Sequence, residues 1–156
     1  MSAIRHSDGF TLIELVACIV IMAVLAAIAG PRFFNTQPFT ERGYATEIAA
    51  ALRAARQVAV ASQCDVRVTI DPATGYEALQ RSAAGNACNP AGAWAVPVRL
   101  TDGNLLAGAP PSGANVAAAT QVIFQSQGSL LGAAPAPIVV GPFSVTVDRF
   151  SGFVSE

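Results

Sequence analysis

Hydrophobic positions follow three regimes along the chain. From Phe10 to Gly30 they are continuous, 21 residues with one charge, Glu14. As a helix rising 1.5 Å per residue this run spans about 31 Å, the thickness of a bilayer core. It predicts a transmembrane helix over 10–30. A secretory signal peptide is the alternative, but its apolar stretch is shorter, ~7–15 residues, before a small-residue cleavage site. VLAAIAG supplies such small residues.

Pro31 follows the run, where a lost backbone bond and a clash with the preceding turn give a kink or a stop. Pro38 is a second breaker, and Thr40 is the expected N-cap ahead of Glu41. The second regime is YATEIAAALRAARQVAVAS, residues 44–62. Tyr44, Ile48, Leu52 (with Ala51), Ala55, Val58 (with Ala59) and Ser62 recur at three- and four-residue steps, while Arg53, Arg56 and Gln57 lie elsewhere on the wheel. The spacing predicts an amphipathic helix with a narrow, alanine-rich face that can lie close against a sheet.

From Cys64 the period becomes 2. DVRVTID alternates, PATG turns and YEALQ returns, which predicts a hairpin. SAAGNACNPAG reads as a loop. AWAVPVRL reads as an edge strand, because Pro97 cannot donate to a ladder. DGNLLAGAPPSGANVAAA is loop-like, and TQVIFQSQGSLL, APIVVGPF and SVTVDRFSGFVSE supply the last strands. The predicted fold class is α+β: a long N-terminal transmembrane and spine helix packed on a C-terminal antiparallel sheet. Four segments result, a leader at 1–9, the membrane helix at 10–30, a kinked continuation with the amphipathic helix at 31–62, and a β-rich domain at 63–156.

Charge and chemistry narrow the function classes. From Pro31 onward eight arginines face eight acids, and the chain has no lysine. A balanced domain of this kind lacks the electrostatic footprint of a nucleic-acid binder. Arg5, His6 and the terminal amine make the short leader positive, which retains the N-terminus on the cytoplasmic side and delivers the rest outside. His6 is the only histidine and has no partner for catalysis or metal ligation. Ser126 and Ser129 have no base near them in the pattern. Asp65, Asp71, Asp102 and Asp148 are scattered singly over turns and strands without a metal-ligand cadence, and read as solvated. No catalytic residue, metal site or cofactor is expected. Trp94 and Phe150 are expected in the core, with an adhesive or stacking surface as the alternative.

Cys18 lies in the apolar run and behaves as a small hydrophobe. Cys64 and Cys88 are the disulfide candidates if the domain lies outside the cytosol. Their closed loop of about 25 residues would then stabilise the fold by roughly 3 kcal/mol in the chain-entropy model. Two unrelated thiols is the other reading.

Gly9-Phe10-Thr11-Leu12-Ile13-Glu14, with Pro31 22nd after the glycine, resembles the processing site of type IV pilins and type II secretion pseudopilins. The resemblance implies cleavage by a prepilin peptidase after Gly9 and methylation of the new amine on Phe10. It also implies a helix that first anchors in the membrane and later packs in a filament, with the proline at 31 as its kink. A carboxylate at a bilayer centre costs ~2.5–3.5 kcal/mol on insertion scales. The resemblance gives Glu14 a partner that recovers this cost, the terminal amine of a neighbouring subunit, which sets assembly register. An acid near enough to the headgroups to stay hydrated is the alternative.

VRVTID with GYEALQ, VIFQSQGSL and the closing VTVDRFSGFVSE are similar to the H-type pseudopilin of type II secretion (GspH) and to FimT-type minor pilins. Phe153 stands where that family usually has a basic residue. PRFF after the anchor is also similar to pilins of the mannose-sensitive haemagglutinin type. The resemblance implies a minor pilin or pseudopilin at or near the tip of a filament, in the bacterial inner membrane with its C-terminal domain in the periplasm. Its partners would be other major and minor pilins or pseudopilins, the prepilin peptidase, the inner-membrane assembly platform and membrane lipid, with no nucleic acid. A FimT-like DNA-binding pilin, and a membrane-anchored periplasmic binding domain outside any filament, are the alternatives.

Overall fold

The computed structural model describes residues 11–33, 37–84 and 87–156. The chain divides into two compact units, residues 1–36 and 37–156.

The first unit contains helix α1, Leu12–Phe33. It runs through Pro31 for two further residues, so the proline does not end it at Gly30. Thr11 caps its start: the Glu14 N–H donates to Thr11 Oγ1 at 3.4 Å and to the Thr11 carbonyl at 3.1 Å. Every side chain from Thr11 to Ala27 is exposed. Among the described residues no helix is long and apolar enough to cross a membrane.

The second unit opens with helix α2, Gln37–Ser62. It begins three residues before the expected cap, and Thr40 lies inside it. Pro38 falls in the first turn, where backbone N–H groups have no intrahelical acceptor and a missing one costs nothing. It starts the helix and does not break it. At the other end Gln63 takes φ 53° and the Cys64 N–H reaches back to the Ala59 carbonyl at 3.2 Å. This is a Schellman ending made without glycine, and Gln63 Nε2 caps the Val60 carbonyl at 2.8 Å.

Strands β1 (Val66–Asp71), β2 (Gly75–Arg81), β5 (Trp94–Pro97), β6 (Ala107–Gly108) and β7 (Thr120–Phe124) form one antiparallel sheet. The order is β5-β2-β1-β7, with β6 also on β2. The predicted hairpin holds in register from Val66 opposite Gln80 to Asp71 opposite Gly75. Pro97 does lie on an edge strand. Strands β8 (Ile138–Val140), β9 (Phe143–Val147) and β10 (Val154–Ser155) make a second sheet in the order β10-β9-β8. The expected loop around Cys88 holds a small ribbon, β3 (Ala83–Ala84) with β4 (Ala87–Cys88).

The helix packed on the sheets is α2. Its buried face is Tyr44, Ala45, Ile48, Ala49, Ala51, Leu52, Ala55 and Ala59, with Val58 half-buried and Ser62 exposed. Against it lie Val66, Val68 and Ile70 of β1, Val122 and Phe124 of β7, and Ile138, Val140, Val145, Val147 and Val154 of the smaller sheet. Alternation in β1 sends Arg67, Thr69 and Asp71 to the opposite face.

Candidate functional site

Glu14 is the third residue of α1, and Thr11 with Glu14 makes the Thr-x-x-Glu pattern of a capped helix start. That pattern is legible in the sequence as Thr11-Leu12-Ile13-Glu14. The first turn of a helix carries partial positive charge, so a carboxylate is favoured there before any partner arrives. Beyond Glu14 the described side chains of α1 present apolar groups all round, with Leu12 81% and Met22 69% exposed. A helix that is hydrophobic on every side needs lipid or other helices around it. Gly9, Phe10 and His6 lie outside the described residues.

The second unit pairs a tyrosine of the sheet with a carboxylate of α2. Tyr76 of β2 is buried and its hydroxyl donates to Glu47 Oε1 at 2.9 Å. Burial and then the Glu47 carboxylate push the Tyr76 phenol well above its ordinary range. Tyr44 packs 6.5 Å from it, ring centre to ring centre, and burial raises its phenol too. Gly108 allows this arrangement, since a Cβ there would lie 2.6 Å from the Tyr76 ring and 2.7 Å from Glu47 Oε1.

Three of the scattered aspartates are turn residues, as expected. Asp71 Oδ1 accepts the Ala73 and Thr74 N–H groups, and these bonds hold its carboxyl below the usual range. The Asn104 N–H does the same for Asp102, and the Ser151 hydroxyl and N–H for Asp148. Asp65 differs: it is half-buried and pairs with Arg81 at 3.4 Å. Ser129 shares hydrogen bonds with Gln125 and Gln127. Among the described residues no three His, Cys, Asp or Glu side chains converge on one point.

The two large aromatics do not sit in the core. Trp94 is half-buried on edge strand β5, with the guanidinium groups of Arg81 at 4.2 Å and Arg67 at 5.2 Å over its ring. Its strand lies at the margin of the sheet, and cation–π stacking replaces apolar burial. Phe150 is 81% exposed and Phe153 is 66% exposed, both on the turn between β9 and β10. Cys64 and Cys88 form a disulfide, with Cα atoms 5.3 Å apart. Cys18 is free and exposed on α1.

Two families match, and they fall on the two units separately. The prokaryotic N-terminal methylation motif covers residues 4–30. The family of the type II transport protein GspH covers residues 44–152, well over half of the chain. The chain belongs to the GspH family. It is thus a pseudopilin or minor pilin of type II secretion, with Glu14 and most of α1 inside its methylation motif and most of the α2–sheet unit inside its GspH match. No curated protein and no solved structure matches this GspH-family chain.

Proposed function

We propose that this GspH-family chain is made as a precursor, cut by a prepilin peptidase after Gly9, and methylated on the amine of Phe10. Residues 10–30 then anchor it once through the inner membrane, with the 37–156 unit in the periplasm. From there it enters a secretion pseudopilus at or near the tip, alongside other pseudopilins and through an inner-membrane assembly platform. Glu14 sets its register by pairing with the terminal amine of a neighbouring subunit. Its work is structural, not catalytic.

The observation that carries this reading is the coincidence of three features in one segment. A methylation motif covers 4–30, the acid sits in the first turn of α1, and every described side chain of that helix is exposed. Low dielectric strengthens an acid–amine pair and makes it costly to leave the acid unpaired. The disulfide supports an oxidising compartment for the 37–156 unit.

Intact-mass analysis of the chain extracted from inner membranes tests the proposal. The expected product begins at Phe10 and carries one methyl group. A chain that keeps residues 1–9 in cells with active peptidase would overturn it.

A further inference from the structure

The face of the larger sheet turned away from α2 carries an apolar row with a cation at its centre. Strand register sets that row. Arg67 of β1 stands opposite Leu79 of β2 and Ile123 of β7, and Leu79 stands opposite Pro97 of β5. Phe124 bridges to Leu130 and the Leu131 N–H donates to the Ile123 carbonyl at 2.8 Å, which brings Leu131 beside Ile123. Residues opposite one another share a face, while Val66, Val68 and Ile70 turn to the other side against α2. The row therefore runs Pro97, Leu79, Arg67, Ile123, Leu131. Leu79 and Ile123 are half-buried outside the core, and Leu131 is 44% exposed. At a strand spacing of ~4.8 Å the row is about 19 Å across.

Arg67 has no acid of its own. Among the described residues the ion pairs are Arg53 with Glu156 and Arg81 with Asp65. Glu77 is exposed in the neighbouring row, opposite Thr69, and forms no ion pair with Arg67. The Arg67 guanidinium rests 5.2 Å over the Trp94 ring, which Arg81 also covers at 4.2 Å. In that place Arg67 Nε is sealed from solvent and has no hydrogen-bond partner among the described residues. A dry N–H left unmet is costly, so an acceptor that reaches this face can draw Arg67 off the ring. Nε with one Nη is the fork that receives a carboxylate through two parallel bonds.

We propose that Arg67 and its apolar row receive an extended segment of a partner protein with the pattern apolar-x-Asp/Glu-x-apolar. Alternate side chains of such a segment share one face. Its carboxylate takes the Arg67 fork, and the apolar groups two residues to either side cover Leu79 and Ile123. Charge selects the acid at the centre, and the apolar flanks select its neighbours. A polynucleotide or an anionic lipid surface fits worse, because this one unpaired cation shares its face with Asp65, Asp71 and Glu77. The contact belongs to the 37–156 unit and does not depend on cleavage at Gly9.

The test uses the full chain in inner membranes, with the photoreactive p-benzoylphenylalanine in place of Leu131. Irradiation is expected to join it to a protein segment of the stated pattern, located by mass spectrometry. Arg67→Met keeps an apolar stem beside Trp94 and removes the charge, and should lower the yield about tenfold. Replacing the captured acid by lysine leaves this chain untouched and should cost as much, while combining that change with Arg67→Glu should restore the yield. Trp94 is the only tryptophan of the chain. The captured segment, made as a synthetic peptide, should therefore change the emission of the wild-type protein and leave that of Arg67→Met unchanged. No adduct, adducts to lipid or polynucleotide only, or a yield indifferent to Arg67→Met would overturn the proposal. So would a charge-swapped pair no better than either single change.

Discussion

The carboxylate of Glu41 fills the space that a side chain on Gly141 would need. Glu41 is the one buried acid among the described residues, 5% exposed, and Gln37 Nε2 donates to its Oε1 at 3.2 Å. Gly141 has φ 55° and bonds through its N–H to the Asn115 carbonyl at 2.9 Å. The pair joins the start of α2 to the β8–β9 turn. Gly141→Ala combines left-handed strain of ~1–2 kcal/mol with overpacking of ~1–3 kcal/mol. A fall in Tm of roughly 10 °C is expected in thermal unfolding followed by circular dichroism. An unchanged Tm would show that the helix start moves aside freely.

The disulfide joins residues 24 apart, linking the end of α2 to the ribbon before β5. Replacing Cys64 and Cys88 together by serine should remove about 3 kcal/mol of stability, the loop-closure entropy of a ring that size. Urea titration of both forms checks this. Equal midpoints would mean that the ribbon orders independently of its covalent link.

The phenols of Tyr44 and Tyr76 are both raised in the folded chain, by burial first and by Glu47 next. A raised folded value contributes stability that is complete below the unfolded phenol value of ~10 and is lost as pH rises above it. Stability should therefore fall above about pH 10, and Tyr76→Phe should flatten that fall. Absorbance near 295 nm should show phenolate appearing together with unfolding. Two phenols ionising smoothly in a chain that stays folded is the contrary result.

Glu14→Gln keeps a residue suited to a capped helix start but removes the charge. Processing should proceed normally, while recovery in purified filaments should drop by at least about tenfold, given the ~2.5–3.5 kcal/mol attached to a membrane carboxylate. Gly9 replaced by leucine should instead leave a heavier, uncut precursor on a gel. Wild-type recovery of Glu14→Gln would remove the register role from this acid.

Periodicity made the second unit readable. The α2 face from Tyr44 to Ala59 and the β1–β2 hairpin follow from spacing, because burial on one side imposes a repeat, and the edge position of Pro97 follows from its missing N–H. Features set by local bonding did not show in that repeat. Pro38 reads as a breaker in the sequence because its position relative to the helix start cannot be counted from hydrophobic spacing. Phe150 is expected in the core because it is large and apolar, and an Asp148-capped turn holds it in solvent instead. Trp94 left the core for the same kind of reason, two arginines meeting it from strands β1 and β2. Tyr76, Gly108 and Glu47 meet although they lie far apart in the chain, and only the folded sheet brings them together.

Strand β5 ends on Pro97, and β7 is flanked by the Leu130 bridge to Phe124. Both margins of the larger sheet are thus poor templates for a foreign backbone. Molecules crowded side by side on a surface can then touch through side chains, at angles set by shape and charge, without their sheets fusing into a continuous ribbon. Reversible neighbours, and not amyloid, are the outcome that this border favours.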